Sequence, residues 1–113
     1  MLVLFDQGTP VAIAKSLVKH SVRTARRMRW DRLTNGGLLS VAEEAGFDVL
    51  LTTDNSLAYQ QNLTGRRIAI MVLSKNRWSL VKLVLAQIEN AVSAAKPGSY
   101  SVVDVAHKSI DDK

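Results

Sequence analysis

The chain has 113 residues, 47% hydrophobic and 22% charged, with 15 Lys plus Arg against 10 Asp plus Glu and a formal charge of +5. That size and balance fit one domain around one core and exclude a generally disordered chain. With no cysteine present, a disulfide framework, a thiol nucleophile and Cys-type zinc sites are excluded, and the positive surplus favours anionic partners.

In chain order, residues 2–5 are an uninterrupted apolar run, the pattern of a strand covered on both faces of a parallel sheet. Asp6-Gln7-Gly8 interrupts it. Thr9 before Pro10 reads as an N-cap with proline at the first helical position, and Val11, Ala14, Leu17 and Val18 recur at helical spacing. Residues 20–24 form a brief second strand. Asn35 is the expected N-cap of the next helix, with Leu38, Leu39, Ala42 and Ala45 on one face and Gly46 as its left-handed stop.

Phe47 and Val49-Leu50-Leu51 make another buried strand, which ends in the turn-rich Thr52-Thr53-Asp54-Asn55-Ser56. A short helix over residues 57–62 and a third apolar run over 68–73 follow. Ser79 then caps one long helix, with Val81, Val84, Leu85, Ile88 and Val92 at the helical period, closed by Pro97-Gly98. Residues 100–105 alternate as a last edge strand. A single domain over residues 1–105 is followed by a polar tail over 106–113. The alternation of strands and helices predicts an α/β fold, a three-layer α/β/α domain with a mainly parallel central sheet.

Lys15, Asp48 and Lys82 break the apolar stretches before any reaches the roughly 18 to 20 residues of a spanning helix. Residues 1–5 meet Asp6 too early for the apolar part of a signal peptide. The expectation is a soluble, cytoplasmic protein with no membrane partner.

Open parallel sheets bind ligands beyond the carboxyl ends of their strands, where the strand order reverses. Asp6 and Asp54 both follow such ends. If their strands are neighbours, the two carboxylates share one crevice, a sparse but workable set for Mg²⁺ or Mn²⁺ with water and substrate phosphate. The plainer readings are an Asx turn for Asp6 and a helix cap for Asp54.

The segments Leu2-Val3-Leu4-Phe5-Asp6-Gln7-Gly8-Thr9-Pro10, His20-Ser21-Val22-Arg23-Thr24-Ala25 and Asn35-Gly36-Gly37-Leu38-Leu39, with Ala45-Gly46-Phe47-Asp48-Val49-Leu50-Leu51-Thr52-Thr53-Asp54, resemble the small stand-alone PIN-like proteins, relatives of the PIN-domain ribonucleases. The resemblance runs over residues 1–74. It implies a PIN-like α/β/α fold and a metal-dependent endoribonuclease acting on single-stranded RNA, with the toxin of a toxin-antitoxin pair as its best-known setting and an antitoxin protein as partner. The family's first acid matches Asp6, and the acid after its Thr-Thr strand end matches Asp54. Asn35-Gly36-Gly37 stands where the family often has another acid, and Ser74-Lys75-Asn76-Arg77 lacks a further one. Asn35 therefore enters as a cap or as a group bonded to metal-bound water, and Glu43 or Glu44 as substitute acids.

Arg23, Arg26, Arg27, Arg29 and Arg32 place five guanidinium groups within ten residues, around Met28 and Trp30. Arginine forks match phosphate, and an exposed indole stacks on an unpaired base, so the stretch reads either as a single-stranded RNA contact or as a solvated face with Trp30 in the core. Lys75 and Arg77 are placed on the same rim. Any apolar residue left exposed on the long helix would mark a homodimer surface. A catalytically inactive PIN-like module that binds nucleic acid or protein is the alternative from a different class.

Overall fold

Three short segments carry the β-branched and leucine-rich runs that a sheet covered on both sides requires, and two more polar ones, Ser21-Val22-Arg23-Thr24 and Tyr100-Ser101-Val102-Val103, flank them as edges. In the computed structural model, which describes residues 1–105, they are β1 (Leu2–Phe5), β2 (Ser21–Thr24), β3 (Val49–Thr52), β4 (Ala69–Leu73) and β5 (Tyr100–Val103). The expected tail over 106–113, with His107, lies outside the described residues. The strands form one sheet in the order β2-β1-β3-β4-β5, and every adjacent pair is parallel. Helices α1 (Asn35–Glu44), α2 (Leu57–Gln61), α3 (Trp78–Val81) and α4 (Leu85–Ser93) flank it, giving three α/β/α layers.

Because side chains alternate along a strand, the sheet has two cores. Val3, Phe5, Val49, Leu51 and Met71 meet Ile13, Leu17, Val81, Ile88 and Val92 on one face. Leu4, Leu50, Ile70 and Val72 meet Leu38, Leu39, Ala42, Tyr59 and Leu63 on the other. The β1–β2 and β4–β5 connections thus share one face while moving in opposite directions along the sheet, so these two crossovers have opposite hands. The β2–β3 and β3–β4 connections cross the second face.

The helical expectations need four corrections. Residues Val11–Ser16 wind as a 3₁₀ segment rather than an α-helix, with Pro10 outside it in an extended conformation, φ −60° and ψ 119°. Of the expected stripe, Leu17 just after the segment is buried and Ala14 packs against the core, whereas Val11 and Val18 are 65% and 83% exposed and Ile13 is the buried residue of the tighter-wound segment. Thr9 does not cap this segment; its buried hydroxyl donates to the Leu51 carbonyl at 3.0 Å and ties the loop to β3. Asn35 is the first residue of α1, and Thr34 occupies the extended N-cap position.

The fourth correction concerns the long helix. It starts at Trp78 after Arg77, without a cap at Ser79, and a 3₁₀ stretch over Lys82–Val84 separates α3 from α4. Val81, Val84, Ile88 and Val92 stay buried across the break, so the apolar spacing survives although the helix does not. Leu83 is 69% exposed. Ala45, expected on the buried face of α1, is exposed beside Gly46, which at φ +92° ends the helix as expected. Gly98, at φ +74°, turns the chain into β5 where a Cβ would stand 2.9 Å from the Arg66 carbonyl oxygen.

Glu43 and Glu44 lie at the far end of α1, away from the carboxyl ends of the strands, so neither serves as a substitute acid at Asp6. Glu43 Oε2 accepts from the Arg67 and Ile68 backbone N–H groups just before β4, and Oε1 lies 3.6 Å from Arg66. The Arg67 N–H bond holds this carboxyl below its ordinary 4.5 against partial desolvation, helped by Ile68 and by the Arg66 and Arg67 charges. A depressed folded-state value adds stability that is complete above 4.5 and lost as pH falls through the folded value. Chemical denaturation across pH should therefore show Glu43→Gln less stable than wild type at pH 7, with the gap closing below pH 4.5; a gap constant down to pH 3 would refute the assignment.

Candidate functional site

The strand order reverses between β1 and β3, whose paired residues include Phe5 with Leu51. That switch point opens a crevice at the carboxyl edge of a doubly wound sheet, and Asp6 and Asp54 stand there. Asp6 directly follows β1 and extends the pairing by one step, its N–H donating to the Leu51 carbonyl at 3.0 Å. Asp54 comes two residues after β3.

One hydroxyl connects them. Thr52 Oγ1, fully buried, donates to Asp6 Oδ2 at 2.8 Å and accepts from the Asp54 N–H at 3.0 Å. Tyr59, from α2 and 2% exposed, donates to the same Asp6 oxygen at 3.0 Å. Burial is the main reason the Tyr59 phenol is pushed well above its ordinary 10.0, followed by the Asp6 charge, the hydrogen bond to Asp6 and the Asp54 charge. Both carboxylates are therefore felt at one phenol. The plainer roles are present too: Asp6 Oδ1 accepts from the Gln7 N–H at 2.7 Å, and Asp54 Oδ1 from the Ser56 N–H at 2.9 Å, just ahead of α2.

Asn35 sits half-buried at the start of α1, and among the described residues no hydrogen bond joins its side chain to Asp6 or Asp54. Gly36 beside it lets α2 approach, since a Cβ there would meet Asn62 Oδ1 at 3.0 Å. The bases surround the acids because every loop after a parallel strand emerges on one edge. Arg26 shares with Asp6, Gln7 and Thr24 a pocket of about 170 Å³. Arg23, Arg26 and Arg27 line an adjoining groove of about 760 Å³. Lys75 and Arg77 are exposed after β4, on the opposite flank. Among the described residues the close ion pairs are Arg66 with Glu43 and His20 with Glu89, so these five cations stay uncompensated.

The arginine turn is locked by its aromatic residue. The Trp30 backbone N–H donates to the Ala25 carbonyl at 2.8 Å and the Arg29 backbone N–H to that of Arg26 at 3.0 Å, the pair of bonds that closes a Schellman turn. Trp30 packs edge-on to Phe47, ring centroids 5.9 Å apart at 73°, on the α1 side of the sheet. It is a structural anchor, not an exposed stacking platform. Arg29 occupies the left-handed position, φ +64°, where glycine is the usual residue.

Two carboxylates at an accessible edge fit a cation that keeps most of its water, which is the habit of Mg²⁺. Asp6 Oδ2 already accepts two donors, so Oδ1 and Asp54 carry the remaining capacity. Among the described residues no cluster of three or more His, Cys, Asp or Glu is present, so the set falls short of a full protein cage. In comparisons with known proteins, no family model, curated protein or solved structure matches the chain.

In the sequence Thr52 stands only at the head of a turn-rich cluster, and Tyr59 carries no signal, since a five-residue helix shows no period. A raised phenol value stabilises the fold fully below pH 10.0 and loses that contribution as pH rises towards the folded value. Wild type should therefore lose stability above pH 10 more steeply than Tyr59→Phe, by up to about 1.4 kcal/mol per pH unit for one proton. Parallel slopes in alkaline denaturation would sink the Tyr59–Asp6 linkage.

Proposed function

We propose that this chain is a PIN-like domain that cleaves single-stranded RNA with Mg²⁺ or Mn²⁺ held between Asp6 and Asp54. The observation that carries the reading is the Thr52 hydroxyl, which ties Asp6 Oδ2 to the Asp54 backbone at the sheet's switch point. When bound, the cation supplies a water of lowered pKa and neutralises charge on the phosphodiester. Thr52 and Tyr59 hold the Asp6 rotamer by occupying one of its oxygens. Arg26 and Arg29 on one flank, and Lys75 and Arg77 on the other, hold the RNA backbone across the carboxylates, with Arg23 and Arg27 extending the cationic surface. The proposal extends to the toxin of a toxin-antitoxin pair in a cytoplasmic setting.

A second reading has its own observation. Two acids without a third among the described residues also suit an inactive PIN-like module that binds RNA through the same cations. Cleavage of a labelled single-stranded RNA in Mg²⁺, Mn²⁺ or EDTA separates the two. The enzyme reading expects loss of about a hundredfold or more in Asp6→Asn, in Asp54→Asn and in EDTA. Binding without cleavage in wild type assigns the module; cleavage indifferent to both substitutions removes the site.

Arg29 gives an independent check. A non-glycine residue in the left-handed region costs about 1 kcal/mol, a cost consistent with a side chain kept for binding. Arg29→Gly should melt at or above the wild-type temperature while RNA affinity falls and its log-log salt slope drops by roughly one. Unchanged affinity would take Arg29 out of the RNA contact.

A further inference from the structure

The outer edge of β2 is open, and the groove of about 760 Å³ runs along it, lined by consecutive residues Val22, Arg23 and Thr24 of the strand together with Val11, Arg26 and Arg27. Ser21 and Ala25 donate inward, to the Met1 and Phe5 carbonyls at 2.9 and 2.8 Å. Backbone groups alternate sides along a strand, so Val22 and Thr24 aim their N–H groups outward, into the groove. The Thr24 carbonyl is taken by the Met28 N–H at 3.1 Å, whereas the Val22 carbonyl is held only by the exposed Arg23 guanidinium, at 3.0 Å. Val11, Ala14 and Val22 supply its aliphatic lining, which serves as the floor, with Val11 largely exposed. Three arginines without an ion pair among the described residues form the rim.

We propose that this edge binds an extended acidic peptide segment of a partner protein, which adds a sixth strand beside β2. Peptide carbonyls accept from the Val22 and Thr24 N–H groups, small apolar side chains cover Val11 and Val22, and the alternate Asp or Glu side chains pair with Arg23, Arg26 and Arg27. Docking moves the Arg23 guanidinium from the Val22 carbonyl to a carboxylate, which frees that carbonyl for a peptide N–H. RNA fits this groove less well, because no aromatic ring lines it for base stacking and its floor is aliphatic. The inference stands whether or not the carboxylates support cleavage, since it uses neither Asp6 nor Asp54.

The probe is a fluorescein-labelled peptide of alternating Glu and Val, titrated with the full chain by anisotropy, with the matching Lys-Val peptide and a labelled oligouridylate alongside. Of the two peptides only the acidic one should bind in a saturable, salt-sensitive way, weakened roughly tenfold or more in the Arg23→Glu, Arg27→Glu double variant, while any oligouridylate binding at the carboxylate edge leaves the Val22 and Thr24 amides unprotected. Two N-methylated versions of the peptide, blocked at one or the other alternate set of nitrogens, read strand addition without altering the protein's fold. One set should abolish binding and the other retain it, and amide exchange at Val22 and Thr24 should slow on addition of the peptide. Equal tolerance of both sets, no saturable binding, or protection of those two amides by the oligouridylate instead of the peptide would each overturn the proposal.

Discussion

An all-parallel sheet delivers every strand's carboxyl end to one edge, and the arrangement of charge in this protein follows from that constraint. In the order β2-β1-β3-β4-β5, the loops on that edge run from the arginine turn, through Asp6 and Asp54, to Lys75 and Arg77. Asp6 and Asp54 occupy the middle, where the order of the described strands reverses, between the arginine turn on one side and Lys75 and Arg77 on the other, with Asp104 following β5 at the outer edge. A sheet with one antiparallel strand would send one of these loops to the opposite edge and break the sequence of charges.

Joining the Asp6 carboxylate to the Asp54 backbone requires a polar atom in an otherwise apolar strand, and Thr52 provides it. Its neighbours Leu50 and Leu51 are fully buried, and so is Thr52 itself. An unpaired hydroxyl there would be costly. Its donor and acceptor capacities are both used, by Asp6 and by the Asp54 N–H, so the residue that satisfies its own burial also fixes the spacing of the two loops. Valine would fill the same space and preserve the strand while removing the one hydroxyl that bonds both the Asp6 carboxylate and the Asp54 N–H.

The three central strands are legible because burial on both faces leaves continuous runs of Leu, Val and Ile, whereas the edge strands β2 and β5 are half exposed and carry no such run. Helix starts are not legible. Thr9, Asn35 and Ser79 all have good capping chemistry, yet Thr9 is drawn to the Leu51 carbonyl, Asn35 lies one residue inside its helix, and the α3 start is displaced to Trp78. Capping preference is a weak local energy, and tertiary contacts override it. Asp6 and Asp54 could be found because their position after a strand end is a sequence property. Tyr59 could not, since its link to Asp6 spans 53 residues and depends on where α2 settles.

Trp30 shows how an apolar contact can serve a charged surface. Read from the sequence, an indole among five arginines fits a base-stacking platform or a core residue equally well. The half-buried ring packs on Phe47 and the Trp30 backbone N–H bonds the Ala25 carbonyl, which together explain how a turn carrying Arg26, Arg27 and Arg29 keeps one shape despite mutual repulsion and a left-handed arginine. The repulsion among exposed guanidinium groups falls away beyond about a Debye length, roughly 8 to 10 Å, and weakens with salt, whereas the Trp30–Phe47 contact does not depend on ionic strength. The cations are held beside Asp6 by a contact on the other side of the sheet from the groove floor, which leaves their own side chains available to a ligand.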